Sequence, residues 1–259
     1  MRVLIALGLA LTLVSVQEEI EIGKAAQKEA RQKVPVLRDA GTDAYVAAIG
    51  HRLSAAARGP KYPYTFTIAN DADINAFALP GGPVWINRGT LQAAANESQV
   101  AAVLAHEIAH IARRHAADQL TKTMIANWGL GLLGAVLGNS GGASAAQVAA
   151  RLMADGAFLK FSRDDERDAD QEGLAIMTRA GWDGRGMVEM LELLQRKTKQ
   201  DPAAVAVLTS THPPPADRVR LIKGERASSH RGTRDTEAFR AMHKRLASLP
   251  HAPKPAHNP

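Results

Sequence analysis

The run His106-Glu107-Ile108-Ala109-His110 constrains this chain more than any other feature of its sequence. Two histidines four positions apart lie within about 40° of each other around an α-helix, on consecutive turns. Both imidazoles can therefore bind one metal ion, and Zn²⁺ is an ion that takes histidine nitrogens in this way. Glu107 follows the first histidine, where it can accept a proton from a water beside the metal. The run therefore predicts a metal-dependent hydrolytic site.

The residues around this run favour a well-formed helix. Asn96 is a good N-cap, and Gln99 lies three positions later, where it can reach back as in a capping box. An apolar stripe is centred about 120° around the helix from the two histidines. Its members are Val100, Val103, Leu104, Ile108 and Ile111. One face of the helix can thus be buried while another face binds a metal.

A third protein ligand is needed, and the sequence offers two candidates. His115 follows His110 by five positions, which turns it about 140° away on a continuing helix, so we expect a solvated or capping histidine. Glu166 lies on a separate helix capped by Ser162, with Asp170 one turn further on the same face. Glu166 is the favoured ligand, and Asp170 can accept a hydrogen bond from a ligating imidazole. Taken alone, an acidic helix start also has an ordinary electrostatic explanation.

Strands are predicted before this helix. Residues 64–68 alternate apolar and polar side chains, as a half-buried strand does. Residues 75–79 and 83–87, joined by Pro80-Gly81-Gly82, are typical of a hairpin. Because Pro83 cannot donate a ladder hydrogen bond, it favours an edge position for the second strand of the hairpin. Helices are predicted over 18–33, 42–57 and 163–180, which makes the fold mainly helical.

The ends of the chain bound its domain organisation. Arg2 followed by the apolar residues 3–16 is typical of an export signal, and this run is shorter than the roughly 20 residues of a membrane-spanning helix. We expect a signal peptide or uncleaved anchor over 1–17, one domain over 18–248 and a disordered tail over 249–259. The chain contains no cysteine, which excludes disulfides and a thiol nucleophile. An exported chain without disulfides fits a bacterial periplasm.

Two further features concern possible partners. The formal charge is +6, but the basic residues are spread along helices and the tail, so no nucleic-acid partner is expected. Residues 129–142 are apolar and rich in glycine. They are compatible with a flap over the site, a loop in peripheral contact with a membrane, or a packed helical hairpin. The sequence does not predict the oligomeric state.

Four motifs follow one another along the chain and together carry a family resemblance. They are Asn75-Ala76-Phe77-Ala78-Leu79-Pro80-Gly81-Gly82, the His106–His110 run, Ser162-Arg163 with Glu166 and Ala169-Asp170, and Ser210-Thr211-His212-Pro213 with Arg218. In this combination the chain resembles, from Thr42 to Leu221, the HtpX and CAAX-prenyl-endopeptidase family of gluzincin metallopeptidases. It is most similar to the soluble exported branch of that family, the BepA-like periplasmic proteases.

The resemblance implies an α+β, mainly helical, zincin-like metalloprotease domain with a small antiparallel sheet or hairpin packed on the zinc helix. It implies one Zn²⁺ per chain, held by His106, His110 and Glu166. Glu107 would be the general base, and Asp170 would orient a ligand. The expected activity is endopeptidase cleavage of extended or misfolded envelope proteins. The alternative is a gated quality-control factor that mainly binds outer-membrane protein clients.

The resemblance also assigns residues around the metal. Asn75, Ala76, Phe77 and Ala78 would offer an edge strand to an extended polypeptide substrate. His212 and Arg218 would lie near the metal, either stabilising the oxyanion or shielding the zinc in a resting state. Two departures from the family are visible. The chain has no apolar membrane span beyond its signal, and no helical-repeat domain is apparent after Leu221.

Overall fold

A computed structural model of the protein describes residues 14–123, 160–212, 216–224 and 232–252. The predictions for residues 129–142, for most of 1–17 and for the end of 249–259 lie outside the described residues. Within the described ranges, no helix is both long and apolar enough to cross a membrane.

The described elements confirm a mainly helical α+β fold. The helices are α1 (Val16–Lys33), α2 (Ala40–Ala56), α3 (Arg88–Ala93), α4 (Glu97–Ala112), α5 (Arg163–Arg179), α6 (Arg185–Gln200), α7 (Ala206–Thr211), α8 (Ala216–Gly224) and α9 (Glu237–Ser248). The strands are β1 (Thr65–Ala69), β2 (Ala76–Ala78) and β3 (Pro83–Asn87). Residues 115–123 are also helical, and Pro202–Val205 form a short 3₁₀ turn.

The three strands form one small mixed sheet in the order β1-β3-β2. β2 and β3 pair antiparallel, with Phe77 opposite Trp85, which confirms the predicted hairpin. β1 pairs parallel with β3, with Phe66 opposite Val84, so the sheet is not purely antiparallel. A parallel pair needs a crossover connection rather than a tight turn, and hairpin signals do not reveal it.

The prediction that Pro83 places its strand at the sheet edge is wrong, because β3 is the central strand. Pro83 is the first residue of β3, a position where the missing N–H is tolerated even in a paired strand. Every residue of β3 is buried, as expected for a strand covered on both faces. The edge strand of the hairpin is therefore β2.

The sheet separates two groups of apolar side chains. Val84 and Ile86 point into the main core, which α2 and α4 also fill. Trp85 points to the opposite face, where it packs with Phe77 and with Ala26 of α1. This alternation follows the two-residue period of a strand, and it fixes which face of the hairpin meets α4.

α4 runs through the centre of the domain, and nearly all of its residues are buried. The Asn96 side chain accepts a hydrogen bond from the Gln99 backbone N–H, as predicted. The Gln99 side chain reaches back to the N–H of Ala95 at 2.8 Å, one residue earlier than in a standard capping box. α5 packs against α4 and begins with a complete capping box between Ser162 and Asp165.

Candidate metal centre

α4 brings the two histidines of the His-Glu-x-x-His run together. The Nε2 atoms of His106 and His110 lie 3.0 Å apart, and the two rings meet edge to face. Both side chains are buried. The helical spacing expected from the sequence therefore converges two imidazole nitrogens on one point.

α5 adds a carboxylate at the same point. Glu166 Oε1 lies 3.4 Å from His110 Nε2, and Glu166 Oε2 lies 3.6 Å from His106 Nε2. Two ligand atoms of one tetrahedral zinc ion, at 2.0–2.2 Å from it, are about 3.3 Å apart. These spacings and the two-nitrogen, one-carboxylate donor set therefore fit Zn²⁺. Glu166 therefore lies where a third ligand would have to be, and its role as the zinc ligand stays a prediction.

His212 completes a cluster of four candidate ligands. It follows α7, is 5% exposed, and its Nδ1 lies 2.7 Å from Glu166 Oε1. One ligand atom from each of His106, His110, Glu166 and His212 can be chosen so that all lie within 4.8 Å of one another. Sequence reasoning placed His212 near the metal without assigning it as a ligand, and the structure brings it into the cluster itself.

Asp170 and Arg218 support this cluster from one side. Asp170 Oδ1 lies 3.0 Å from His106 Nδ1, the ring nitrogen directed away from Glu166. The Arg218 guanidinium donates from Nε and Nη2 to both Asp170 oxygens at 2.6 and 2.7 Å. Its Nη1 lies 2.6 Å from Glu166 Oε2. Arg218 thus ties together the carboxylates of Asp170 and Glu166.

The electrostatic environment suits metal binding. Burial lowers the pKa of His110 well below its ordinary value, which keeps the imidazole neutral as a ligand must be. Burial alone would raise the pKa of Glu166, but His212 and Arg218 lower it well below its ordinary value. In the same way, Arg218 and His106 outweigh burial and lower the pKa of Asp170. The carboxylates of Glu166 and Asp170 are therefore ionised at neutral pH.

Glu107 has the properties of a proton acceptor. Burial raises its pKa above the ordinary carboxyl value. Its Oε2 atom is buried and has no hydrogen-bond partner in the described part of the chain. A buried carboxylate with a raised pKa and a free oxygen accepts a proton more readily than an ordinary carboxylate.

A mainly apolar recess opens beside the cluster. Glu107, His106 and His212 lie at its polar end, and Asn75 and Ala76 form part of its wall. The rest of the wall combines Asp170, Arg218 and three threonines with apolar side chains, chiefly Met187, Met190, Leu191, Leu194 and Leu208. The recess can therefore accept an apolar group next to the candidate catalytic carboxylate.

β2 lies at the edge of the sheet with backbone groups directed outward. Asn87 N donates to Asn75 O, and Leu79 N donates to Pro83 O. In an antiparallel pair, hydrogen-bonded positions alternate, so the backbone groups of Ala76 and Ala78 point away from β3. The Phe77 side chain instead stacks on Trp85 across the sheet, at 5.7 Å between ring centroids. Phe77 was predicted to belong to the substrate-binding strand, and its side chain is part of the core.

The prediction that His115 is solvated or a simple cap is wrong. His115 is 7% exposed, and its Nδ1 lies 3.0 Å from His110 Nδ1. Its Nε2 lies 3.2 Å from Asp168 Oδ2. The prediction assumed a continuing helix, but α4 ends at Ala112 and Arg114 adopts a φ of 61°. Nothing in the residue types around 113–115 signals this break.

A His-Glu-x-x-His helix with a glutamate ligand from a second helix is the arrangement of a gluzincin metallopeptidase. The chain belongs to peptidase family M48, whose sequence pattern matches residues 40–226. The resemblance inferred from the four motifs is thus confirmed. Members of this family use zinc, and the ligand set described above fits that ion.

Characterised relatives have similar sequences over much of the chain. It is 30% identical to the beta-barrel assembly-enhancing protease of Escherichia coli K12 over 211 residues, covering 79% of this chain and 43% of that protein. It is 34% identical to the mitochondrial metalloendopeptidase OMA1 of Schizosaccharomyces pombe over 182 residues, covering 70% of this chain and 52% of that protein. The aligned region thus spans about half the length of these relatives.

Proposed function

We propose that this protein is a zinc-dependent endopeptidase that hydrolyses peptide bonds of extended or misfolded polypeptides, with Glu107 as the general base. The observation that carries the proposal is the convergence of His106, His110 and Glu166 at spacings that suit one Zn²⁺. Glu107 lies on the same helix and lines the recess beside this cluster.

The chain's own residues divide the chemistry between them. Zn²⁺, when bound, supplies Lewis acidity toward water and a substrate carbonyl. His106, His110 and Glu166 would hold it, and Asp170 would orient His106. Glu107 takes a proton from the attacking water and delivers it to the nitrogen of the leaving amine. The proton count balances, because one water adds across the peptide bond.

The edge strand supports an extended polypeptide as the substrate. The outward backbone groups of Ala76 and Ala78 can pair with a peptide that adds a strand to the sheet. Such pairing requires an unfolded segment, because a folded substrate already satisfies its backbone groups. The apolar recess between β2 and α6 would then take one side chain of that segment. This favours a large hydrophobic residue next to the bond that is cut.

A second candidate function follows from His212. A structural zinc site has four protein ligands, whereas a catalytic site keeps one position open. With His212 in the cluster, the metal centre would be closed to substrate until His212 moves. The protein would then be a gated quality-control factor that binds clients and cleaves them only after release of His212. Arg218, paired with Asp170 and Glu166, would hold the centre together rather than contact the oxyanion.

The names of the bacterial relatives suggest where such an activity operates. The similarity to beta-barrel assembly-enhancing proteases supports an exported protein of the bacterial envelope, acting in the periplasm on outer-membrane protein clients. The export signal predicted over 1–17 fits this location. Peripheral contact with the membrane through residues 129–142 remains part of the proposal.

The decisive experiment separates metal binding from proteolysis. Glu107→Gln should retain about one zinc per chain, because Glu107 is not among the candidate ligands. It should lose cleavage of an unfolded protein such as reduced casein, because no group remains to take the proton. Undiminished cleavage by this variant contradicts the proposal. In cells, clients that accumulate with Glu107→Gln and not with the unaltered protein identify the natural substrates.

A further inference from the structure

His115 lies behind the metal centre, on the side of His110 that faces away from Glu166. The distance from His115 Nδ1 to His110 Nδ1 is 3.0 Å, and His115 Nε2 lies 3.2 Å from Asp168 Oδ2. Asp168 belongs to α5, the helix that also carries Glu166. A continuous line of contacts therefore runs from the candidate metal position through His110 and His115 to a carboxylate.

The direction of both hydrogen bonds is determined by the two ends of this line. His110 presents Nε2 to the cluster, so a neutral ligating imidazole carries its proton on Nδ1 and donates it. An ionised Asp168 can only accept. His115 must then accept at Nδ1 and donate from Nε2, and a single neutral tautomer satisfies both contacts.

The backbone before His115 is shaped to bring it there. Arg114 has a φ of 61°, a left-handed backbone conformation that residues other than glycine adopt infrequently. This turn ends α4, and a new helical stretch begins at His115 in a different direction from a continued α4. The Arg114 side chain is held in place by a hydrogen bond from its Nε to the buried carboxylate of Glu19 in α1, at 2.7 Å. Such conformations persist where surrounding contacts over-determine them, often at functional sites.

We propose that His115, supported by Asp168, is a positioning residue that holds His110 in the tautomer and ring orientation required for zinc binding. It would serve His110 as Asp170 serves His106, so each ligating imidazole would have its own acceptor. The proposal rests on the proposed function only in taking His110 as a zinc ligand. Partners of this kind typically change metal affinity by about 10- to 100-fold when removed.

The test measures zinc affinity in the full-length protein by competition with a chelator at fixed pH. His115→Leu, which fills space without an acceptor, should weaken zinc binding by about 10- to 100-fold. His115→Asn, whose amide oxygen can accept from His110, should recover most of that loss. His51→Leu removes an exposed histidine of α2 and should leave zinc affinity unchanged.

Two controls separate positioning from folding and from the metal centre itself. Both His115→Leu and His115→Asn should unfold cooperatively on heating without zinc, so that their zinc affinities are compared between folded proteins. The double variant His115→Leu with Asp168→Ala should bind zinc no more weakly than His115→Leu alone, since Asp168 acts through His115.

The outcomes distinguish the two proposals. If His110→Ala abolishes zinc binding while His115→Leu leaves it unchanged, the positioning role is wrong and the metal centre stands. The positioning role is also wrong if His115→Asn binds zinc as weakly as His115→Leu. If the unaltered protein binds no zinc, the metal centre and the positioning role fail together.

Discussion

Gly173 of α5 lies directly against the backbone of His106 in α4: a Cβ at position 173 would be 3.2 Å from both N and Cα of His106. This is tighter than ordinary van der Waals contact, and neither partner atom is the end of a flexible side chain. The close approach of the two helices is what allows Glu166 and Asp170 to reach the histidines of α4.

We therefore expect Gly173→Val to force α5 away from α4. Overpacking of this kind costs roughly 1–3 kcal/mol in free energy of unfolding. Zinc affinity should fall as well, because Glu166 moves with α5. Ala175→Val, a partly exposed position on the same helix, carries the same β-branched penalty without the contact to His106. Equal stability and zinc affinity of the two variants would contradict this role for Gly173.

His212→Ala should open the metal centre. Cleavage of an unfolded protein is expected to rise by about tenfold or more, a difference of roughly 1.4 kcal/mol in the barrier. Zinc content should stay near one per chain, because His106, His110 and Glu166 remain. Ser210→Ala changes an exposed residue of α7 and serves as the control. A fall in activity would show that His212 assists the reaction rather than shielding the metal.

Arg218→Met should destabilise the protein most strongly when zinc is absent. It leaves the carboxylates of Asp170 and Glu166 buried without their cationic partner, and breaking a buried pair in this way costs roughly 3–5 kcal/mol. Bound Zn²⁺ offsets part of the negative charge, so the loss measured by urea unfolding should be smaller with zinc. Arg196→Met, at an exposed position of α6, should have little effect in either state. Equal losses of unfolding free energy with and without zinc would contradict the role of Arg218 as the partner of Asp170 and Glu166.

Leu194→Trp should narrow the recess and change substrate preference. Peptides with a large hydrophobic residue beside the cleaved bond should lose about tenfold or more in kcat/KM relative to peptides with alanine there. Leu221→Trp, at an exposed leucine outside the recess, should leave this ratio unchanged. If Leu194→Trp lowers kcat/KM equally for both kinds of peptide, the recess does not select the side chain beside the cleaved bond.

The ion pair between Asp39 and Arg245 should make stability depend on acid pH. Hydrogen bonds from Arg245 and Thr42 lower the pKa of Asp39 from 3.8 to about 2. Because the folded-state pKa is depressed, the stabilisation is present above the unfolded value of 3.8 and is lost as pH falls toward 2. The Arg245 side chain is partly exposed, so the stabilisation that this ion pair contributes should also fall with added salt.

This pH dependence can be checked on zinc-free protein, so that metal release does not contribute. The difference in unfolding free energy between the unaltered protein and Arg245→Gln should be constant above about pH 4 and shrink toward pH 2. Arg240→Gln, which removes an exposed pair with Asp235, is the matched control. If the difference in unfolding free energy is unchanged at pH 2, the pH dependence does not come from protonation of Asp39.

Much of the site could be predicted from the sequence because its key spacings are local. His106 and His110 are four positions apart on one helix, so their convergence depends only on helix geometry and on a good N-cap at Asn96. The hairpin followed from an alternating pattern around a glycine turn. These features need no knowledge of what packs against them.

The errors occurred where distant parts of the chain decide the outcome. Pro83 could not reveal that β1 pairs beside β3, because a parallel partner is brought in by a crossover connection. The position of His115 depends on the left-handed turn at Arg114, which is held by Glu19 far away in the sequence. The extent of burial along α4 likewise depends on the elements that surround it.

The sequence by itself determined the helix that carries His106, Glu107 and His110, because an α-helix imposes the directions of these side chains on its own residues. Only the tertiary structure decided which residues from other elements lie beside these side chains. The packing of Gly173 against His106 brings α5 close enough for Glu166 to reach both histidines, and His212 arrives from a different segment. The turn at Arg114 then places His115 behind His110. Side-chain spacing within a helix is local geometry, whereas these encounters depend on how separate elements share one core.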